Sequence, residues 1–188
     1  MSGASEGKLE VGQVFRDHAP FAWRVLRRLG VPERDVEDVC QEVFLVVARK
    51  LEEFEGRSSV RTWVYGICVR VASDYRKSAR VRREEISPVA GEGPDSDKQL
   101  DVVALRQARA TLDRILDTLD DDKRAVFVLY EIEQVKMPEI ALALGCPRQS
   151  DYSRLHAARA RVQEAIAAER GRDRSSGAAA GAEQGGAP

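Results

Sequence analysis

The chain has 188 residues, which is enough for one medium domain or two small ones. Hydrophobic residues make up 43% of the chain and charged residues 32%, a balance that excludes a membrane protein and a wholly disordered chain. No apolar run approaches the roughly 18 residues of a membrane-spanning helix, and the N-terminus lacks the apolar stretch of a signal peptide, so we expect a soluble, cytoplasmic protein.

The net charge of −1 alone argues against a nucleic-acid binder, but the charges are segregated along the chain. Residues 57–83 contain eight bases and one acid, whereas residues 33–55 contain eight acids and three bases. Residues 84–101 contain six acids and one base. Surfaces of opposite sign indicate two kinds of partner.

Apolar residues recur at helical spacing in the first half of the chain, which predicts helices over about residues 12–29, 32–54 and 60–83. The second helix carries a core stripe made of Val36, Cys40, Val43, Val47 and Leu51. The third has a predicted buried side made of Val60, Trp63, Val64, Ile67, Val71 and Tyr75. We expect these helices to form one domain over residues 12–84, after a disordered N-terminus over residues 1–11.

The composition changes over residues 85–101, where turn-forming and acidic residues predict a flexible acidic linker. Helical periodicity then returns and predicts a second all-α domain over residues 102–170. Within it, a short helix starts near Pro138 and stops at Gly145, and a long helix runs from about Pro147 to Arg170. Residues 171–188 are rich in Gly, Ala and Ser and predict a disordered tail.

The segment around Gly145 has the pattern of a helix-turn-helix. Its second helix opens with polar and basic residues of the kind that reach bases and phosphates in a major groove: Arg148, Gln149, Ser150, Tyr152, Ser153 and Arg154. Arg159 and Arg161 continue the positive side. The alternative is an ordinary helical hairpin with a solvated arginine face, since such patterns are short and common.

The basic segment over residues 57–83 interleaves cations with Trp63, Tyr65 and Tyr75. Proteins that bind single-stranded nucleic acid combine cations for the phosphates with aromatic or pocket contacts to unstacked bases. The alternative for Trp63 and Tyr75 is a core position, which their spacing fits better.

The three cysteines, Cys40, Cys68 and Cys146, form no CxxC pair and lie in apolar helical patterns, which favours small buried residues over disulfides or zinc ligands. There is no Gly-rich phosphate loop, no metal-ligand cluster and no nucleophile beside a base. The sequence therefore predicts a protein that has no cofactor and is not an enzyme.

Taken together, these blocks resemble the sigma-70 family, and within it the two-domain extracytoplasmic-function (ECF) group. The first block carries DVEDVCQEVF at residues 35–44, VRTWVYGI at 60–67 and DYR at 74–76. The second carries RAVF at 124–127, EIA at 139–141, LGCP at 144–147 and SRLHAAR at 153–159. The order of these motifs around an acidic linker makes the signal specific.

The resemblance implies a bacterial transcription initiation factor, with region 2 in the first domain and region 4 in the second. It places core RNA polymerase binding on Asp38, Gln41, Glu42 and Phe44. It places recognition and melting of the −10 element on Gly56, Arg57, Ser58, Ser59, Arg61, Trp63, Arg76, Lys77 and Arg80. Duplex −35 DNA is assigned to Arg148, Gln149, Ser150, Tyr152, Ser153, Arg154 and Arg159. An anti-sigma factor is a further partner common in the group.

One position departs from the family pattern, because Asp151 stands where most relatives carry an apolar residue. A carboxylate there suits the helix N-terminus but repels phosphate, and it could accept from a cytosine amine. Two other interpretations stay open: a helix-turn-helix regulator that binds duplex DNA without polymerase, and a helical adaptor whose charges are only solvated surface. The first leaves the acidic patch and the basic segment unexplained.

Overall fold

The computed structural model describes residues 9–85 and 100–182, with side chains over residues 9–79 and 107–171. Every regular element in these residues is helical, as the sequence predicts. The α-helices are α1 (Val11–Arg28), α2 (Glu33–Lys50), α3 (Val60–Glu85), α4 (Leu100–Asp117), α5 (Asp121–Phe127), α6 (Met137–Leu144) and α7 (Arg148–Ala182). A 3₁₀ turn (Leu51–Glu53) follows α2, and a π-helical turn (Val128–Ile132) follows α5.

Helices α1, α2 and α3 form the first helical unit by packing their apolar stripes together. All five residues of the predicted α2 stripe are buried, which confirms that part of the periodicity. The turn between α1 and α2 needs a left-handed residue, and Gly30 supplies it with φ +90°. Helix α3 begins at Val60 as predicted, where Ser59 Oγ accepts a hydrogen bond from the Thr62 amide (3.1 Å) in the manner of an N-cap.

Helices α4, α5, α6 and α7 form the second unit, in which α7 packs against the other three. Asp120 caps α5 by accepting from the Lys123 amide (2.9 Å). Helix α6 ends at Gly145, which adopts the left-handed conformation (φ +67°) and turns the chain into α7. The predicted helix-turn-helix is therefore present over α6 and α7.

The chain is helical beyond the predicted end of the last helix, because α7 continues to Ala182. The sequence assigned residues 171–182 to a disordered tail, whereas α7 continues through them, because extending an existing helix avoids the cost of a new nucleus. The rest of that predicted tail, the N-terminal residues 1–8 and residues 86–99 of the predicted linker lie outside the described residues.

The two units pack directly on each other, with α3 against α6, and one hydrophobic core runs through both. Helix α3 is consequently covered on two sides. Val64, Ile67 and Val71 are buried as predicted, and fully buried Tyr65 donates a hydrogen bond to the Ala125 carbonyl of the second unit. None of the helices in the described part of the chain has the length and apolar character required to cross a membrane.

Candidate functional site

The acidic patch on α2 is exposed. Asp38, Gln41 and Glu42 follow each other at three- and four-residue steps, so they share one face of the helix, and all three are open to solvent. Leu45 extends this face one turn further and is 57% exposed. On neighbouring α1, Phe15 is 47% exposed. The sequence pattern did not indicate that these two apolar side chains are exposed. Their exposure makes them candidates for a docking surface.

Phe44, which the sequence groups with the exposed patch, lies in the core instead. Only 6% of it is exposed, and its ring meets the edge of Phe15 with centroids 4.8 Å apart and planes at 70°. Consecutive residues of an α-helix are about 100° apart around its axis, so Phe44 points toward the core while its neighbour Leu45 points to solvent. Phe44 therefore packs beneath the exposed patch, and almost none of its side chain is accessible to a partner.

The loop before α3 presents the predicted −10 residues in an open conformation. Gly56 adopts φ +67°, and Arg57 is exposed beside Glu55, with Nε 2.7 Å from its carboxylate. Ser58 is half-buried, and exposed Ser59 caps α3. The loop is thus a short exposed segment fixed at its helical end.

Two aromatic contacts fix the first turn of α3. The Arg61 guanidinium lies over the Phe21 ring at 4.4 Å, which is a cation–π contact. Trp63 is half-buried and packs on Phe54, with ring centroids 5.0 Å apart. Trp63 thus belongs partly to the core, as its spacing favours, and keeps part of its surface beside the loop.

Further along α3, the predicted phosphate-binding cations differ in their surroundings. Arg76 is largely covered, and Nη2 lies 2.7 Å from Asp121 of the second unit. Burial lowers the pKa of Arg76, and the Asp121 carboxylate partly offsets that effect. Lys77 is 74% exposed, near Asp74 of its own helix. Arg80 lies on the same helix.

The start of α7 carries the exposed polar residues expected of a recognition helix. Arg148, Gln149, Ser150, Tyr152 and Ser153 are all exposed, and 53% of Tyr152 is open to solvent. Ser153 Oγ donates to the Gln149 carbonyl (3.1 Å), which orients it along the helix. These side chains are grouped at one helix end beyond the Gly145 turn.

Asp151 is fully buried, so its carboxylate is placed neither to repel phosphate nor to accept from a cytosine amine, the two effects that the sequence suggested. Its Oδ1 accepts from Arg154 Nη1 (3.2 Å), and its Oδ2 is buried without a hydrogen bond from any described residue. Burial raises the pKa of Asp151, partly countered by Arg154. Arg154 also donates to Asp122 (2.7 Å) and to the Cys146 sulfur (2.9 Å), so it ties the helix-turn-helix together.

Arg159 lies on the exposed side of α7, where Nε donates to Glu131 (2.7 Å) and the guanidinium lies 5.5 Å from the Tyr130 ring. The hydrogen bond from Arg159 to Glu131 raises the pKa of Arg159. Arg159 is thus held by its own unit and remains accessible.

The cysteines are unpaired, and Cys40 and Cys68 are buried. Burial raises the pKa of both thiols. Over the residues that the structure describes, no group of three His, Cys, Asp or Glu side chains is arranged to hold a metal ion.

Comparison with known proteins gives the same division of the chain. The model of Sigma-70 region 2 matches residues 14–82, and that of Sigma-70, region 4 matches residues 109–162. The RNA polymerase sigma factor CnrH of Cupriavidus metallidurans is 29% identical over 177 residues, which cover 88% of this chain and 91% of that protein. The ECF RNA polymerase sigma-E factor of Escherichia coli is 28% identical over 145 residues, covering 72% and 76% of the two chains.

The fold agrees with these sequence matches. A solved structure of CnrH in complex with the cytosolic domain of CnrY superposes with a TM-score of 0.62 at 26% identity, covering 84% of this chain and 88% of that one. Region 2 corresponds to the unit of α1–α3, and region 4 to the unit that contains the helix-turn-helix. The chain belongs to the sigma-70 family of RNA polymerase sigma factors, in its extracytoplasmic-function group.

Proposed function

We propose that this chain binds core RNA polymerase through α2 and directs promoter-specific initiation by contacting −10 DNA with α3 and −35 DNA with α7. The observation that carries the proposal is the exposure, in one sigma-family chain, of an acidic patch on α2 and a polar recognition-helix N-terminus on α7. A stand-alone DNA regulator needs only the second of these surfaces.

The α2 patch suits a basic partner helix on polymerase. Its carboxylates, Asp38 and Glu42, supply orientation and partner choice, because exposed charges give specificity more than affinity. Leu45 and Phe15 supply apolar area that is removed from water on docking. A charged rim beside an apolar centre is the usual composition of a protein interface.

Melting of the −10 element requires no covalent chemistry. Extruding a base from the duplex costs a few kcal/mol, which the protein offsets by holding the base in a pocket and the strand on cations. The exposed loop over residues 56–59, together with Arg61 and Trp63, is where we place base capture. Arg76, Lys77 and Arg80 follow on the same helix and are assigned to the phosphates.

Duplex −35 DNA is assigned to the N-terminus of α7. Arg148 and Gln149 are exposed and carry donors of the kind that pair with base edges, so we assign them to the bases; Ser150, Tyr152 and Ser153 are assigned to the DNA backbone. Arg159 lies two turns further and adds positive charge. Arg154 is assigned mainly to holding this helix in place, since its donors are used by Asp122, Asp151 and Cys146.

The action proposed here takes place in the bacterial cytoplasm and involves no catalysis by the chain itself. By analogy with CnrH, whose solved complex contains the cytosolic domain of CnrY, we also propose that an anti-sigma factor binds this chain.

Size-exclusion chromatography of the purified chain with core RNA polymerase tests the proposal. We expect a stable complex, and we expect a smaller share of the Glu42→Lys variant to elute with polymerase, because the substitution reverses charge on the exposed patch. A chain that elutes separately from core polymerase while binding duplex DNA alone would reject the proposal in favour of the stand-alone regulator.

A further inference from the structure

A charged cleft of about 1500 Å³ lies where the turn between α1 and α2 meets α3, α4 and α5. Seven cationic side chains and five carboxylates line it, so the lining is positive overall. Ligand sites in proteins usually measure about 300–1000 Å³. The cleft therefore has room for a small charged molecule.

Two guanidinium groups of this lining meet beside Gly30. A Cβ at Gly30, which has φ +90°, would lie 2.8 Å from Arg124 Nη1 and 3.3 Å from Arg76 Nη1, so both groups approach the same bare Cα. Burial lowers the pKa of Arg76; the Asp121 carboxylate opposes this effect, and the like charge of Arg124 adds to it. An anion bound between the two groups would relieve their repulsion.

Arg76 has a donor that its carboxylate partner leaves unused. Its Nη2 lies 2.7 Å from Asp121 Oδ1, while the other oxygen of Asp121 accepts from Ser73 Oγ (3.1 Å). The buried Nε of Arg76 has no hydrogen bond to any described residue. Nε and Nη2 form one edge of the guanidinium fork, which suits an oxyanion that accepts from both. Asp121 therefore fills half of a phosphate-binding edge.

Arg124 also has a donor to spare. Its Nε donates to the Arg28 carbonyl (2.6 Å) and its Nη1 to Asp117 (2.8 Å), while Nη2 has no acceptor within the part of the chain that the structure describes. The Arg124 side chain is only 3% exposed, so its charge is held in a fixed position. Lys77 and Lys123 line the same cleft and add mobile positive charge.

The carboxylates paired with the two arginines are open to exchange. The side chain of Asp117 is 65% exposed and that of Asp121 is 41% exposed. Exposed carboxylates gain little from an ion pair, because water solvates them well. An anion with more charge and more acceptor atoms can therefore replace them.

We propose that this cleft binds a diphosphate group, with one phosphoryl on Arg76 in place of Asp121 and the other on Arg124 in place of Asp117. A single phosphate fills one of the two positions, and a diphosphate fills both. The group is either free or part of a nucleoside diphosphate, because the two guanidinium groups recognise the phosphoryl oxygens alone. The site goes beyond the proposed function, since its occupation requires neither promoter DNA nor polymerase.

Isothermal titration calorimetry of the full chain with inorganic pyrophosphate, at constant ionic strength, tests the site. We expect one equivalent to bind the parent, and Arg76→Gln to weaken binding by about tenfold or more, since charge-assisted hydrogen bonds are lost. Arg161→Gln is the matched control, an exposed arginine of α7 that pairs with Glu164. Absence of binding at millimolar pyrophosphate, or equal losses in the two variants, would overturn the proposal.

A gain of binding tests the displacement of the carboxylate. Asp121→Asn removes the competing charge, while the amide oxygen can still accept from Ser73. We expect pyrophosphate to bind this variant about two- to fivefold more tightly than the parent, the range set by an exposed ion pair. Asp17→Asn, an equal charge change on exposed α1, should leave the affinity unchanged. Equal affinities of the parent and Asp121→Asn would overturn the displacement.

Titrations with adenosine diphosphate and inorganic phosphate identify the ligand chemistry. Tighter binding of adenosine diphosphate than of pyrophosphate would assign the site to nucleoside diphosphates, and equal binding would assign it to the diphosphate group alone. Phosphate that binds as tightly as pyrophosphate would overturn the two-position site. Circular dichroism establishes that each variant is folded, and the exposed Asp121→Asn substitution keeps the test decisive should Arg76→Gln unfold.

Discussion

Two adjacent side chains on α2 should separate a contribution to folding from a contribution to polymerase binding. Phe44 is 6% exposed and packs on Phe15, whereas Leu45 is 57% exposed beside the acidic patch. Replacing each in turn by alanine removes apolar atoms one residue apart in sequence. The first substitution leaves a core cavity, and the second leaves a gap on the docking surface.

The magnitudes follow from burial. Phe→Ala in a core costs about 3–5 kcal/mol of unfolding free energy, including the lost edge-to-face contact. Leu45→Ala should change the unfolding free energy by less than about 0.5 kcal/mol, since the side chain is mainly exposed. Burying an exposed leucine fully contributes about 1.5–3 kcal/mol, and about half of that area is still open. Docking should therefore weaken by about 1 kcal/mol, about a fivefold rise in Kd.

Urea unfolding followed by circular dichroism gives the first quantity, and a fluorescence titration of labelled chain with core polymerase gives the second. The Kd values of the two variants are compared only under conditions in which the unfolding curves show that both variants are folded. An unchanged Kd for Leu45→Ala would refute the docking role. A Phe44→Ala variant of parental stability would refute the burial argument.

Three further predictions concern charged residues. Glu42→Lys should raise the Kd for core polymerase about tenfold, since like charges would face each other across the interface. Glu164→Lys, an exposed charge reversal on α7, should leave the Kd unchanged. Equal effects of the two reversals would assign the weaker binding to net charge. Arg154→Ala should lower the unfolding free energy by about 3 kcal/mol because it strands the buried Asp151 carboxylate, whereas exposed Arg161→Ala should cost less than about 0.5 kcal/mol by urea unfolding. Burial raises the pKa of Asp151 above 3.8, so ionising this carboxyl destabilises the folded parent. The parent should therefore lose stability as pH rises from below 3.8 through the raised pKa, and the Asp151→Asn variant should not. The stability of the variant relative to the parent should rise over that range. A pH-independent difference between these two proteins, measured from pH 3.5 to 7, would contradict the assigned cause.

Local periodicity was enough to predict the helices and the core stripe of α2. The apolar residues from Val36 to Leu51 recur at helical spacing, which predicts that one face of the helix is buried, and these residues are buried in the structure. Gly145 and Pro138 likewise indicated the helix-turn-helix, since a left-handed residue ends α6 and a proline is tolerated in its first turn. The same periodicity could not separate Phe44 from Leu45, because consecutive apolar residues fit more than one phase of the helix.

The features missed from sequence depend on partners distant in the chain. Arg154, which pairs with buried Asp151 three residues earlier, is anchored to Asp122 across 32 positions of sequence, and no local pattern encodes that second contact. Similarly, Glu133 meets Arg28 across 105 positions of sequence, so the contact between the two units cannot be read from short stretches of sequence. The local clue to this contact is Gly66 within α3, where a Cβ would lie only 2.6 Å from the Ala143 carbonyl oxygen of α6. An interior glycine in a helix often has such a packing reason.

The central claim is that this chain directs core polymerase to a specific set of promoters. Mapping of transcript 5′ ends tests this claim most directly. Core polymerase is incubated with sheared DNA from the host, with and without the chain, and the 5′ ends are sequenced. The account predicts new start sites in the presence of the chain, preceded by two shared sequence elements at a fixed separation. Start sites that are absent, or that share no upstream elements, would contradict it.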